Sequence, residues 1–200
     1  MWHHSNGEEP SWDVPPAEGV DTWKFRCDGF SKHEVCAHIQ EIPENGADNA
    51  HLNILHTTPV VEFLGRFGFT HGWSASWNTL TGDKKHISEI NLTQCFRFFD
   101  FVLPLTTLNV TINQIGPGIV VLQFNTSIGR AYIVQSVTPL EPMLQLTVHS
   151  VHMPWYIPRI VGKGLLQSLV IQVERDVPIW NNKTYTVCIK QNSNCNSNNY

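Results

Sequence analysis

Long apolar runs are missing from this 200-residue chain, and nothing near its start has the unbroken hydrophobicity of a signal peptide or a membrane span. Basic blocks are missing too. Thirteen Lys and Arg against 17 Asp and Glu give a net charge of −4, which argues against nucleic acid as a partner. No G-x-G-x-x-G run marks a flavin or nicotinamide site. The five cysteines (Cys27, Cys36, Cys95, Cys188, Cys195) are scattered and odd in number, which fits free thiols in a reducing, intracellular setting better than a disulfide framework. Four N-x-S/T triplets start at Asn91, Asn109, Asn125 and Asn182; without a secretory signal they read as strand and loop polar residues. What the chain does have is apolar mass: 42% hydrophobic residues and seven tryptophans, enough for one domain with a real core.

The most informative stretch is Glu44-Asn-Gly-Ala-Asp48-Asn-Ala-His51-Leu-Asn-Ile-Leu-His56, with a D-x2-H-x4-H spacing directly after Ile42-Pro43. Proline suits a first helical turn, and Glu44 and Asp48 complement the positive end of a helix. A short helix over residues 43–55 is therefore expected, with His56 at or just past its end. Positions five apart on a straight helix point about 140° away from each other, so both imidazoles meet one ion only if the helix unwinds near His56. Two neutral imidazoles and a carboxylate with open positions form the ligand set of a non-haem Fe(II) oxygenase. Against this stands the plainer reading of a histidine pair packed and hydrogen-bonded on a buried helix. Cys36-Ala37-His38 matches the first half of a Rieske C-x-H … C-x-x-H signature, but Cys95 is followed three residues later by Phe98, so the chain holds no such cluster of its own.

The run from His38 through Ile42-Pro43-Glu44-Asn45-Gly46-Ala47-Asp48 to Ala50-His51-Leu52-Asn53 and Leu55-His56 closely resembles the catalytic domain of cholesterol 7-desaturases. These are Rieske-type non-haem iron oxygenases of animals, related to the bacterial 3-ketosteroid 9α-hydroxylases. The resemblance extends from about Trp2 to Tyr185. It implies that His51 and His56 bind a mononuclear Fe(2+) and that Asp48 is the catalytic acid bridging electrons from the Rieske [2Fe-2S] cluster of a neighbouring subunit. A distant aspartate completes the iron site in that family. Glu174-Arg175-Asp176-Val177-Pro178-Ile179-Trp180, with Lys183, resembles the family's E-x-D-V-x-I-W-x-x-K ending and makes Asp176 the third metal ligand. Taken on its residues alone, Asp176 reads as a helix-end acid in a surface ion pair with Arg175 or Lys183, and Glu174 is its nearest competitor as ligand.

Along the chain, residues 1–20 read as an extended, turn-rich lead-in, which the resemblance makes the linker from a missing Rieske domain. His3-His4 within it reads as solvated. Residues 21–27 and 33–41 are strand candidates around an Asp28-Gly29 turn, residues 60–68 are ambiguous, and residues 69–80 form a strand. Leu108, Val110 and Ile112 alternate with Asn109, Thr111 and Asn113 in a half-buried strand over 105–115. Strands over 119–126 and 131–138, and the alternation from Leu144 to His149, complete an antiparallel meander. His149 and His152 fall on opposite strand faces and read as packed or exposed residues rather than as a shared site. From Trp155 to Asp176, apolar residues at three- and four-residue steps predict one long helix, with Gly162 and Gly164 marking a bend or a close approach. This is an α+β plan, an antiparallel β-sheet packed on one long C-terminal helix, and it matches the helix-grip (START-like) domain of the resembled family. The catalytic domain is expected over 21–186 and a disordered, Asn-rich tail over 187–200.

The resemblance further implies conversion of cholesterol to 7-dehydrocholesterol with O2 and electrons from NAD(P)H, passed by a reductase through the Rieske cluster. It also implies a homotrimer and association with an endoplasmic-reticulum-type membrane, although this chain has no membrane anchor. A fragment lacking the cluster is expected to bind iron and turn over sterol slowly or not at all. Two other readings share the same residues: a non-catalytic sterol- or lipid-binding module, and a steroid hydroxylase.

Overall fold

The computed structural model describes residues 6–16, 20, 22–48, 69–99, 101–103, 107–126 and 129–184. Strands β1 (Phe25–Val35), β2 (Phe69–Thr79), β3 (Ile87–Phe98), β4 (Phe101–Val102), β5 (Leu108–Ile115), β6 (Ile119–Thr126), β7 (Gly129–Glu141) and β8 (Leu144–Pro154) form one antiparallel sheet. Its order is β1-β8-β7-β6-β5-β3-β2, with β4 paired to β3. Helix α1 (Glu41–Ala47) follows β1, and helix α2 (Arg159–Asn181) follows β8. The expected α+β helix-grip plan is the observed one.

Several details depart from expectation. Asp28-Gly29 is not a hairpin turn. It is a bulge inside the continuous strand β1, where the register with β8 shifts between Cys27 and Gly29. Strand β3 adds to the expected set: Ile90 and Leu92 are buried on one face, while Asn91 between them is exposed. Helix α2 starts four residues later than expected and runs five residues past Asp176, continuing through Pro178. Helix α1 starts at Glu41 and ends before Asp48, whose backbone is extended, so it stops short of the expected 43–55; residues 49–55 lie outside the described set.

One face of the sheet is covered by α2. Ala131, Ile133, Val151, Met153 and Ile157 are buried there against Leu165, Leu166 and Leu169. At the far end of the helix, Trp180 packs with Val35, Ala37, Ile42 and Val137, fastening α2 to both β1 and α1. The helix lies so close to the β1 bulge that a Cβ on Gly162 would sit 2.2 Å from Asp28 Oδ2, whereas Gly164 faces open space. Close approach to the Asp28 side chain, rather than to ligand, is thus the role of Gly162. Arg26 holds the bulge: its Nε donates to Asp28 Oδ1 at 2.5 Å and its Nη1 to the Trp155 carbonyl at 2.8 Å. The opposite sheet face buries Ile115, Val121 and Tyr132 under Trp12 and Val20. Part of the lead-in therefore joins the core, with Trp12 stacked on His86 at 4.5 Å.

Candidate active site

Between sheet and α2 lies a cavity with about 920 Å³ of empty space, its mouth included. Ile90, Leu92, Ile112, Val120 and Leu122 supply an apolar wall from β3, β5 and β6. Leu169, Val173, Asp176 and Trp180 face them from α2, and Ile42, Pro43, Asn45 and Gly46 close one side from α1. Sites of this shape and lining suit a mostly apolar small molecule.

Among the described residues, Asp176 is the one acid on this wall, and only 5% of its surface is exposed. Helical phase explains the position: Val173, Asp176 and Trp180 recur at three- and four-residue steps on the buried stripe, whereas Glu174 points to solvent. Asp176 is buried rather than at the surface, and Lys183 pairs with Glu41. Asp176 Oδ2 accepts a hydrogen bond from Asn45 Nδ2 at 3.0 Å. The last helical turn of α1 is thereby tied to the acid on α2 across 131 residues of sequence. Asp48 follows directly, exposed at the end of α1, its N–H donating to the Glu44 carbonyl at 3.2 Å. His51 and His56 lie outside the described residues. Among the described residues, no three His, Cys, Asp or Glu side chains gather closely enough to hold a metal.

A second polar group in the same cavity is His149, which sequence reading leaves as a packed or exposed residue. Strand β8 buries its polar register: Gln145, Thr147 and His149 point inward, while Leu144, Leu146 and Val148 stay half exposed. Thr147, His149, Gln135 of β7 and Gln114 of β5 line the cavity. Burial, helped by the neighbouring His33 ring at 6.1 Å, lowers the His149 pKa to about 4. The ring is therefore neutral at pH 7. His152 sits on the other face, within 2.9 Å of Ser150 Oγ, so the two histidines do not share a site.

Comparison with known proteins places this architecture. Residues 1–193 match the family described as the 3-ketosteroid 9α-hydroxylase C-terminal domain. The chain belongs to that family. Among its curated relatives, cholesterol 7-desaturase of Xenopus laevis is 40% identical over 194 residues, covering 92% of this chain and 43% of that protein. Cholesterol 7-desaturase of Bombyx mori is 40% identical over 192 residues, covering 92% of this chain and 41% of that protein. The chain thus spans less than half the length of these relatives. Dicamba monooxygenase bound to 3,6-dichlorosalicylic acid shares the fold at a TM-score of 0.59 and 12% identity, over 84% of this chain and 52% of that one. A quaternary ammonium Rieske monooxygenase does so at 0.50 and 11%, over 79% and 40%. Among the described residues, no helix is long and apolar enough to cross a membrane.

Proposed function

We propose that this chain is the iron-binding and sterol-binding part of a cholesterol 7-desaturase-like oxygenase. The observation that carries the reading is the buried Asp176, set in an apolar cavity wall and joined through Asn45 to the helix that leads into the His51–His56 motif. A carboxylate buried in an apolar wall favours a cationic partner, because an isolated charge there is costly. The donor set of His51, His56 and Asp176 fits Fe(2+) with positions left open. When bound, that iron would supply O2 activation, fed by electrons from NAD(P)H through a reductase and a Rieske [2Fe-2S] cluster outside this chain.

The chain's own residues have three tasks. Asn45 fixes the orientation of the Asp176 carboxylate. The aliphatic wall of Ile90, Leu92, Ile112 and Leu122 holds a rigid hydrocarbon ring and keeps water from it. Asp48, exposed at the α1 terminus, has the role of passing electrons from a neighbouring subunit of a homotrimer toward His51, as the family resemblance implies. Cholesterol is the substrate assigned, from the relatives' names and the apolar lining; product analysis separates desaturation from hydroxylation. Membrane association belongs to this proposal only through the family.

Iron content tests the reading. The purified chain, loaded anaerobically with Fe(II), should retain about one Fe per chain. His51→Ala, His56→Ala and Asp176→Ala should lose it, and Glu174→Ala should keep it. Tight sterol binding with no iron in the unmodified chain would leave a lipid-holding module instead.

A further inference from the structure

The cavity wall opposite α2 carries a polar group that the proposed iron site does not use. His149 is 2% exposed, lines the cavity, and lies within 3.1 Å of Gln135 Oε1 through its Nε2. An amide oxygen only accepts, so Nε2 must carry the proton and donate. In a neutral imidazole the other nitrogen is then an acceptor. That nitrogen, Nδ1, is sealed from solvent and has no hydrogen-bond partner. Gln135 sits directly opposite His149 in the β7–β8 register, so the strand pairing itself holds the tautomer in place.

Position along the cavity matters as well. Gly162 abuts Asp28, Leu166 lies at Gly29, and Trp180 packs with Val35, so α2 runs alongside β1 in the same direction. His149 pairs with Ser31 through β8, nearer the start of β1 than the Val35 level where Trp180 packs. Asp176, one helical turn before Trp180, and His149 are therefore displaced along one cavity and face it from opposite walls.

Building on the sterol reading above, we propose that His149, oriented by Gln135, is the specificity-determining acceptor for a ligand hydroxyl, selecting a 3-hydroxysterol over its 3-ketone. A ketone offers no proton to Nδ1 and leaves that nitrogen unmet beside a second acceptor. An alcohol satisfies it. A site built around a hydroxyl rejects analogues lacking one because its own buried group then stays unpaired.

The test is equilibrium binding of cholesterol, cholest-4-en-3-one and 5α-cholestane to the whole chain, with circular dichroism as the check of folding. Cholesterol should bind about tenfold more tightly than either analogue. His149→Leu should bring the three within about twofold of one another by weakening cholesterol alone. Gln135→Leu, which releases the tautomer while keeping the ring, should narrow the alcohol-to-ketone gap by strengthening ketone binding. Equal binding of all three by the unmodified chain, or a preference for the ketone, would overturn the assignment while leaving the sterol reading intact. Failure to bind any of the three would overturn the sterol reading on which it rests.

Discussion

A histidine in a dry wall makes stability depend on pH. The folded ring titrates near 4 and an unfolded one near 6.5, so between these values the unfolded chain takes up a proton that buried His149 refuses. Stability is complete above the unfolded value and falls as pH drops through this window, by roughly 3 kcal/mol in total. Urea unfolding at pH 7 and pH 4.5 should show this loss, and His149→Phe should remove most of that step. An equal slope in both proteins would mean that other groups govern the acid limb. Asp176 shows a related lesson in reading single residues. Its neighbours Arg175 and Lys183 suggest a surface acid, and only the helical phase shared with Val173 and Trp180 turns it inward.

Among the elements, α2 and the β1 bulge are fitted to each other. Adding a methyl at Gly162 meets the Asp28 side chain, which Arg26 holds in place, so Gly162→Ala should cost about 1–3 kcal/mol. Gly164→Ala meets nothing and removes a poor helix former, so it should gain up to about 1 kcal/mol. Thermal melts of the two variants should shift in opposite directions. Sequence alone does not separate these two glycines, because both sit at equivalent risk in a helical pattern and the difference lies in a strand more than a hundred residues away. The alternation that marks β5 was legible, since Val110 is buried between half-buried Leu108 and Ile112 while Asn109 is exposed; Ile115, in the other register, is buried on the opposite face. Strand β8 shows the limit of that signal. Its two registers, Leu-Leu-Val and Gln-Thr-His, predict a strand equally well, and the tertiary fold buries the polar one. The Asp28-Gly29 pair likewise carries a turn signature that the paired β8 strand overrides with a bulge.

At the scale of the molecule, the sheet-and-helix cavity is a store of unfilled volume. Packing it should exchange ligand capacity for stability. Leu122→Phe adds bulk to its wall and should raise stability by up to about 1 kcal/mol while weakening cholesterol binding at least about tenfold. Calorimetry together with sterol binding on the same variant checks both halves. A variant that gains stability and still binds sterol normally would place the ligand elsewhere. The overall plan was legible because one long amphipathic segment followed a run of alternating strands. The location of β3 was not, because its polar positions, Glu89, Asn91 and Thr93, dilute the apolar count.

The pairing of the earliest strand with the last one governs how the chain assembles. Because β1 anneals to β8, more than a hundred residues must be threaded into the meander before that edge closes. Contacts of such long range arrive late and slowly. The Asn45–Asp176 bond spans 131 residues, so the pocket is likewise a late product of folding, with little of it assembled in a nascent chain to seize a metal or a lipid.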